Sequence, residues 1–250
     1  MIKLNRPTKP TLLQEKEEEW KKTLLEAIEK YGSYKKIPST EKSNLIKHYK
    51  EDEIRIPLFK STNNKCSFCE CYPAEGGDVQ VEHFNPKSLY PEETFAWENL
   101  MPICLKCNRK KSNHDTKLES LINPYLEDPE DFLDFDSLRI VAKTDSLDKK
   151  KSRRSIDTYN LNRVPLYTPR AILLVSLHEY ENILDKHLDK VEELKQKAKI
   201  LEEIEELEDS LYKIENLQKN TSKYSFFVKN YLQKSKSYRD ATLILKQHRD

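Results

Sequence analysis

The chain has 250 residues, 35% of them charged, with 44 Lys and Arg against 43 Asp and Glu and a formal net charge of +1. A mean hydropathy of −0.85 and no run of about 18 apolar residues exclude a membrane-spanning helix. The opening MIKLNRPTKP lacks the apolar stretch of a secretory signal, so a cytoplasmic, helix-rich protein with no membrane association is expected.

Residues 11–31 place Leu12, Leu13, Trp20, Leu24, Leu25, Ala27 and Ile28 near helical spacing, with Gly32 as the stop. Ser39 and Thr40 open a second helix over 39–52, and KSTNNK (60–65) reads as a polar lead-in to the first cysteines. DVQVEHF (78–84), after the turn-forming EGG, predicts a strand. The segment interrupted by Pro86 and Pro91 is a loop, PICLKCNRKKSN turns and then starts a helix, and 132–143 predicts a strand or hairpin. Beyond Pro169 there is neither proline nor glycine, and apolar residues from Leu177 to Leu217 recur every three or four positions. That pattern fits an intramolecular helical hairpin broken near 222–227, or a docking or dimerisation arm. The expected class is α+β and helix-rich, in three segments: N-terminal helices (1–60), a core (61–145) and a C-terminal helical or coiled-coil region (146–250).

Cys66-x-x-Cys69 and Cys104-x-x-Cys107 have the spacing of a closed four-thiolate zinc site. Closed coordination leaves no open position, so such a zinc is structural. The fifth cysteine, Cys71, is too close to Cys69 for the same turn. Between the pairs lie the adjacent Glu82 and His83, then Asn99; Asn108 follows the last cysteine. Neighbours on a regular strand face opposite ways, so Glu82 and His83 can serve one site only at a twisted or bulged strand end. Net charge is uninformative about nucleic acid, but 106–117 carries Lys106, Arg109, Lys110, Lys111 and Lys117 against Asp115, and KKKSRR adds Lys149, Lys150, Lys151, Arg153 and Arg154. Such clusters suit a phosphate backbone; a solvated face is the plainer explanation for the second.

In order and spacing, Cys66, Cys69, Glu82, His83, Pro86, Asn99, Leu100, Cys104, Cys107 and Asn108 resemble the HNH endonucleases with a ββα-metal core pinned by two C-x-x-C knuckles, over about residues 62–118. The first position is often Asp in that family and is Glu82 here; the last is often His and is Asn108 here. The resemblance implies His83 as general base, Glu82 and Asn108 as ligands of a catalytic Mg²⁺ or Mn²⁺, Asn99 as a loop brace, and Arg109, Lys110 and Lys111 as nucleic-acid contacts. His114, six residues past Asn108, is too far along the helix to join them. CSFCE, VEHFNPKS, YPEETFAWENLMPICLKCNRKK, LINPYLEDPEDFLDFD and TYNLNRVPLYTPR further resemble the PtuB family, the HNH component of Septu anti-phage systems, also found beside some retrons. That likeness implies a PtuA-like ABC-type ATPase partner, and a nucleic-acid substrate that is DNA first, with RNA open. The chain has no G-x-x-x-x-G-K-[ST] of its own. The alternative is a zinc-ribbon binding module in which Glu82 and His83 are incidental.

Overall fold

The computed structural model describes residues 1–76, 79–194 and 196–249. It divides into two compact units, residues 1–133 with 141–161 and residues 134–140 with 162–250. This grouping differs from the three sequence segments: the N-terminal helices and the cysteine-bearing core share one unit. Gly77 of the expected EGG turn lies outside the described residues.

In the first unit, helix α1 spans Thr11–Tyr31 and ends on Gly32 at φ 78°, a left-handed cap that favours glycine. The predicted second helix is shorter than expected. Helix α2 covers Ser39–Ile46, a 3₁₀ turn Lys47–Lys50 follows, and a new helix α3 runs Asp52–Ser61. Helix α3 takes in Lys60 and Ser61 of the expected polar lead-in and carries Pro57 in its interior. Asp52 and Glu53 in its first turn complement the helix dipole, and buried Ile54, Leu58 and Phe59 tie it to the core. That core joins Leu13, Leu24, Ile37, Tyr49, Ile54 and Leu58 to Phe95, Trp97 and Leu100.

Strand β1 (Val79–His83) pairs antiparallel with β2 (Leu100–Cys104), with Val79 opposite Cys104 and His83 opposite Leu100. Helix α4 (Leu105–Lys111) follows β2 directly, completing a ββα unit. Strands β3 (Leu133–Asp136) and β4 (Arg139–Ala142) form the hairpin expected near 132–143. Helix α5 (Lys149–Thr158) is capped by Asp148, whose side chain accepts from the Lys151 amide at 2.9 Å.

The second unit holds α6 (Tyr167–Glu193), α7 (Lys197–Gln218), α8 (Ser225–Lys234) and α9 (Lys236–Arg249). Helices α6 and α7 pack antiparallel: His187 on α6 pairs with Glu203 on α7, and Leu177, Leu184, Leu207, Leu211 and Ile214 are buried. The helical run is broken after Glu193, which the sequence reading did not expect, and again between Gln218 and Ser225, beside the break expected near 222–227. Among the described residues no helix is long and apolar enough to cross a membrane.

Candidate metal centre and nuclease site

The knuckle at Cys66 is locked to β2 through one carbonyl: Pro102 O accepts from the Ser67 amide at 3.1 Å and from Ser67 Oγ at 2.8 Å. This dock carries Cys66 and Cys69 to Cys104, the last residue of β2, and Cys107, in the first turn of α4. All four are buried, and their Sγ atoms lie within 4.8 Å of one another. A zinc tetrahedron with Zn–S of about 2.3 Å has edges of about 3.8 Å; Cys69 Sγ and Cys104 Sγ are 3.8 Å apart. The cluster fits a four-thiolate zinc site. Hydrogen bonds from the Cys107 and then the Cys66 side chain push the Cys104 thiol below its ordinary value. Cys71 is half-buried and outside this set of four, with its Sγ 3.4 Å from Cys69 Sγ.

Strand alternation puts Gln80 and Glu82 on one face of β1, and α4 lies over it. Asn108 Nδ2 donates to Gln80 Oε1 at 2.6 Å, and one turn on, Lys111 Nζ donates to Glu82 Oε1 at 2.8 Å. The amide of Asn108 is thereby oriented with Oδ1 left as an oxygen donor. Burial pushes the Glu82 carboxyl up, while Lys111 and Lys87 oppose that shift. Glu82 is thus already paired with a cationic group, and Asn108 is bonded to Gln80 on the same strand face, two residues away.

His83 ends the strand with 1% exposure. Its Nε2–H donates to Thr94 O at 2.8 Å, a tautomer fixed by the carbonyl partner, and its ring meets Tyr49 edge-on at 4.5 Å. Nδ1 therefore carries the lone pair, and it is buried with no hydrogen-bond partner among the described residues. Burial, then the charge of Lys87, holds the imidazole well below its ordinary value, so it is neutral near pH 7. Lys87 and Lys111 act on both Glu82 and His83, so the strand end brings the pair under one cationic field despite their alternate faces.

Asn99 holds the loop that positions His83. Its Oδ1 accepts from the Asn85 amide at 2.6 Å, and its Nδ2 donates to Asn85 O at 3.0 Å and Glu93 O at 3.1 Å, next to Thr94. Arg109 and Lys110 are exposed on α4. Lys111 is not: it is 2% exposed and turned inward onto Glu82 and His83 O, so the expected solvent-facing nucleic-acid contact does not fit it. His114 lies apart, its Nε2 bonded to Glu119 O. The sequence reading missed Lys87 and Lys50, whose charges also bear on His83. Lys87 follows Pro86 in the loop and gave no periodic signal, and Lys50 arrives from the N-terminal helices.

Residues 66–114 match the family model described as HNH endonuclease. The chain is 35% identical over 122 residues to the Septu protein PtuB of Bacillus thuringiensis, covering 48% of this chain and 46% of that one. It is 27% identical over 208 residues to the Septu protein PtuB of Bacillus mycoides (strain KBAB4), covering 68% of this chain and 66% of the relative. The match thus spans about half the length of the first relative and about two thirds of the second. With its four-cysteine cluster and ββα unit, the segment 66–114 matches the HNH endonuclease model, in a chain similar to the Septu proteins PtuB.

Proposed function

We propose that the chain is a metal-dependent nuclease that hydrolyses nucleic-acid phosphodiester bonds, DNA first, as the effector of a cytoplasmic anti-phage defence system. The observation that supports this most is His83 Nδ1: a neutral imidazole nitrogen, its tautomer fixed by Thr94 O, with no partner of its own among the described residues. In this reading Nδ1 takes the proton from the attacking water. Glu82 and Asn108 Oδ1 hold Mg²⁺ or Mn²⁺, which supplies charge neutralisation at the scissile phosphate. Asn99 keeps the Glu93–Thr94 segment, and with it the imidazole, in place. Arg109 and Lys110 contact phosphates along the substrate, and zinc on Cys66, Cys69, Cys104 and Cys107 fixes β2 and α4 against the knuckle. The likeness to PtuB supports a PtuA-like ABC-type ATPase as partner.

The binding-module alternative draws on one observation: Glu82 is already neutralised by Lys111, as a structural carboxylate would be. A cleavage assay separates the two. The zinc-loaded chain, with and without the ABC-type ATPase, is incubated with plasmid DNA and with a structured RNA, each with and without Mg²⁺ or Mn²⁺. Divalent-dependent strand cleavage, stronger with the ATPase present, is the expected outcome. Binding without cleavage under every condition favours the ribbon module.

A further inference from the structure

Helix α4 ends on a buried lysine. Lys111 Nζ donates to Glu82 Oε1 at 2.8 Å and to His83 O at 2.9 Å, and the side chain is 2% exposed. An ammonium withdrawn from water needs its charge answered and its protons accepted. Here a carboxylate does the first, and two oxygens share the second. A carboxylate and a backbone carbonyl are also the oxygen types that hard divalent cations take. Asn108, three residues earlier on α4, lies over the same strand face. Two cationic groups cannot share one buried carboxylate without strong repulsion, because little water is present to screen them.

We infer that Lys111 is a built-in occupant of the cation position at Glu82, and that a divalent ion loads there only as the ammonium withdraws. This rests on the reading of Glu82 as a metal ligand. Lysine chemistry suits such an exchange, because a compact charge on a flexible four-carbon stem can leave without moving the helix. The helix stops at Lys111, and the next residues, Ser112 and Asn113, are exposed, so solvent begins one residue beyond it. Lys111 is a positioning residue that sets how readily the site takes metal; it is not itself catalytic.

The test is Mn²⁺ binding to the zinc-loaded, full-length chain without nucleic acid, read from the paramagnetic resonance signal of free Mn²⁺. Lys111→Gln is expected to bind Mn²⁺ about ten-fold more tightly than wild type, within the usual range for coupled sites. Equal or weaker binding overturns the inference. Glu82→Gln separates the two ideas. If it binds Mn²⁺ as well as wild type, the ligand role of Glu82 fails. If it loses Mn²⁺ while Lys111→Gln gains nothing, only the exchange of lysine for metal fails. A second readout uses the wild-type chain, so that no variant need fold: amine acetylation followed by mass spectrometry. Lys111 is expected to be protected without Mn²⁺ and readily acetylated at saturating Mn²⁺. Unchanged protection overturns the proposal.

Discussion

A histidine becomes a useful base when its proton inventory is settled before substrate arrives. For His83 three local facts settle it: Nε2 is committed to Thr94 O, the ring is buried against Tyr49, and Lys87 stands nearby. Burial and the lysine charge disfavour the imidazolium, so the folded chain protonates His83 only at a pH below the ordinary value of about 6.5. As pH falls through about 6.5 an ordinary histidine is lost as a base, whereas His83 remains neutral until its own lower value is passed. The acid limb of the cleavage rate against pH should therefore lie below about 6.5. At about pH 6.0, where an unperturbed histidine would be about three quarters protonated, most of the activity should remain. A limb centred at or above about 6.5 would contradict the burial argument. The cysteines make a parallel case. Cys66 belongs to the set of four and Cys71 does not. Cys66→Ser should lose its bound zinc and unfold the core, since structural zinc contributes folding free energy. Cys71→Ser should keep about one zinc per chain, as a tetrahedral Cys₄ site requires. Metal analysis with circular dichroism reads both, and equal zinc loss in the two variants would sink the assignment.

At the scale of elements, helix α5 shows how a charge run divides its labour. Lys151 pairs with Glu127, and Arg154 donates to Ser120 O, so both are spent inside the unit. Lys149, Lys150 and Arg153 are exposed, and the helix packs beside α4, which exposes Arg109 and Lys110. Replacing Lys149, Lys150 and Arg153 together by Ala should weaken nucleic-acid binding. If all three meet phosphates, the slope of log K against log salt should drop by about 2–3; an unchanged slope would mean a solvated face. Elements whose causes are local were legible in the sequence. The C-x-x-C turns, the Gly32 stop, strand β1 and the β3–β4 hairpin all follow from residues within a few positions. Helix α3 was not legible, because Pro57 argues against a helix interior and burial of Ile54 and Leu58 overrides it. The inward turn of Lys111 did carry a signal: it lies four residues after Cys107, and i and i+4 share a helix face. A cysteine facing the metal cluster thus marks that lysine as buried. The contribution of Lys50 and Lys87 at His83 depends on tertiary placement that no short window contains.

At the scale of the molecule, the two units have different chemistry. The first collects the cysteines, Glu82, His83, Asn99 and Asn108 within 1–133 and 141–161. The second is helical, apart from the tip of the β3–β4 hairpin that falls within it, and its long apolar periodicity is consumed within the chain by α6 packing on α7. That packing accounts for the repeat without requiring a second copy of the chain. In the proposed function, nuclease chemistry in the first unit rests above all on His83. Single-turnover cleavage of nucleic acid by wild type and His83→Ala, at matched zinc content and matched far-ultraviolet spectra, tests that dependence most directly. Loss of the base should lower the rate by about 10²–10⁴, with nucleic-acid affinity unchanged. Cleavage by the variant at the wild-type rate would contradict it.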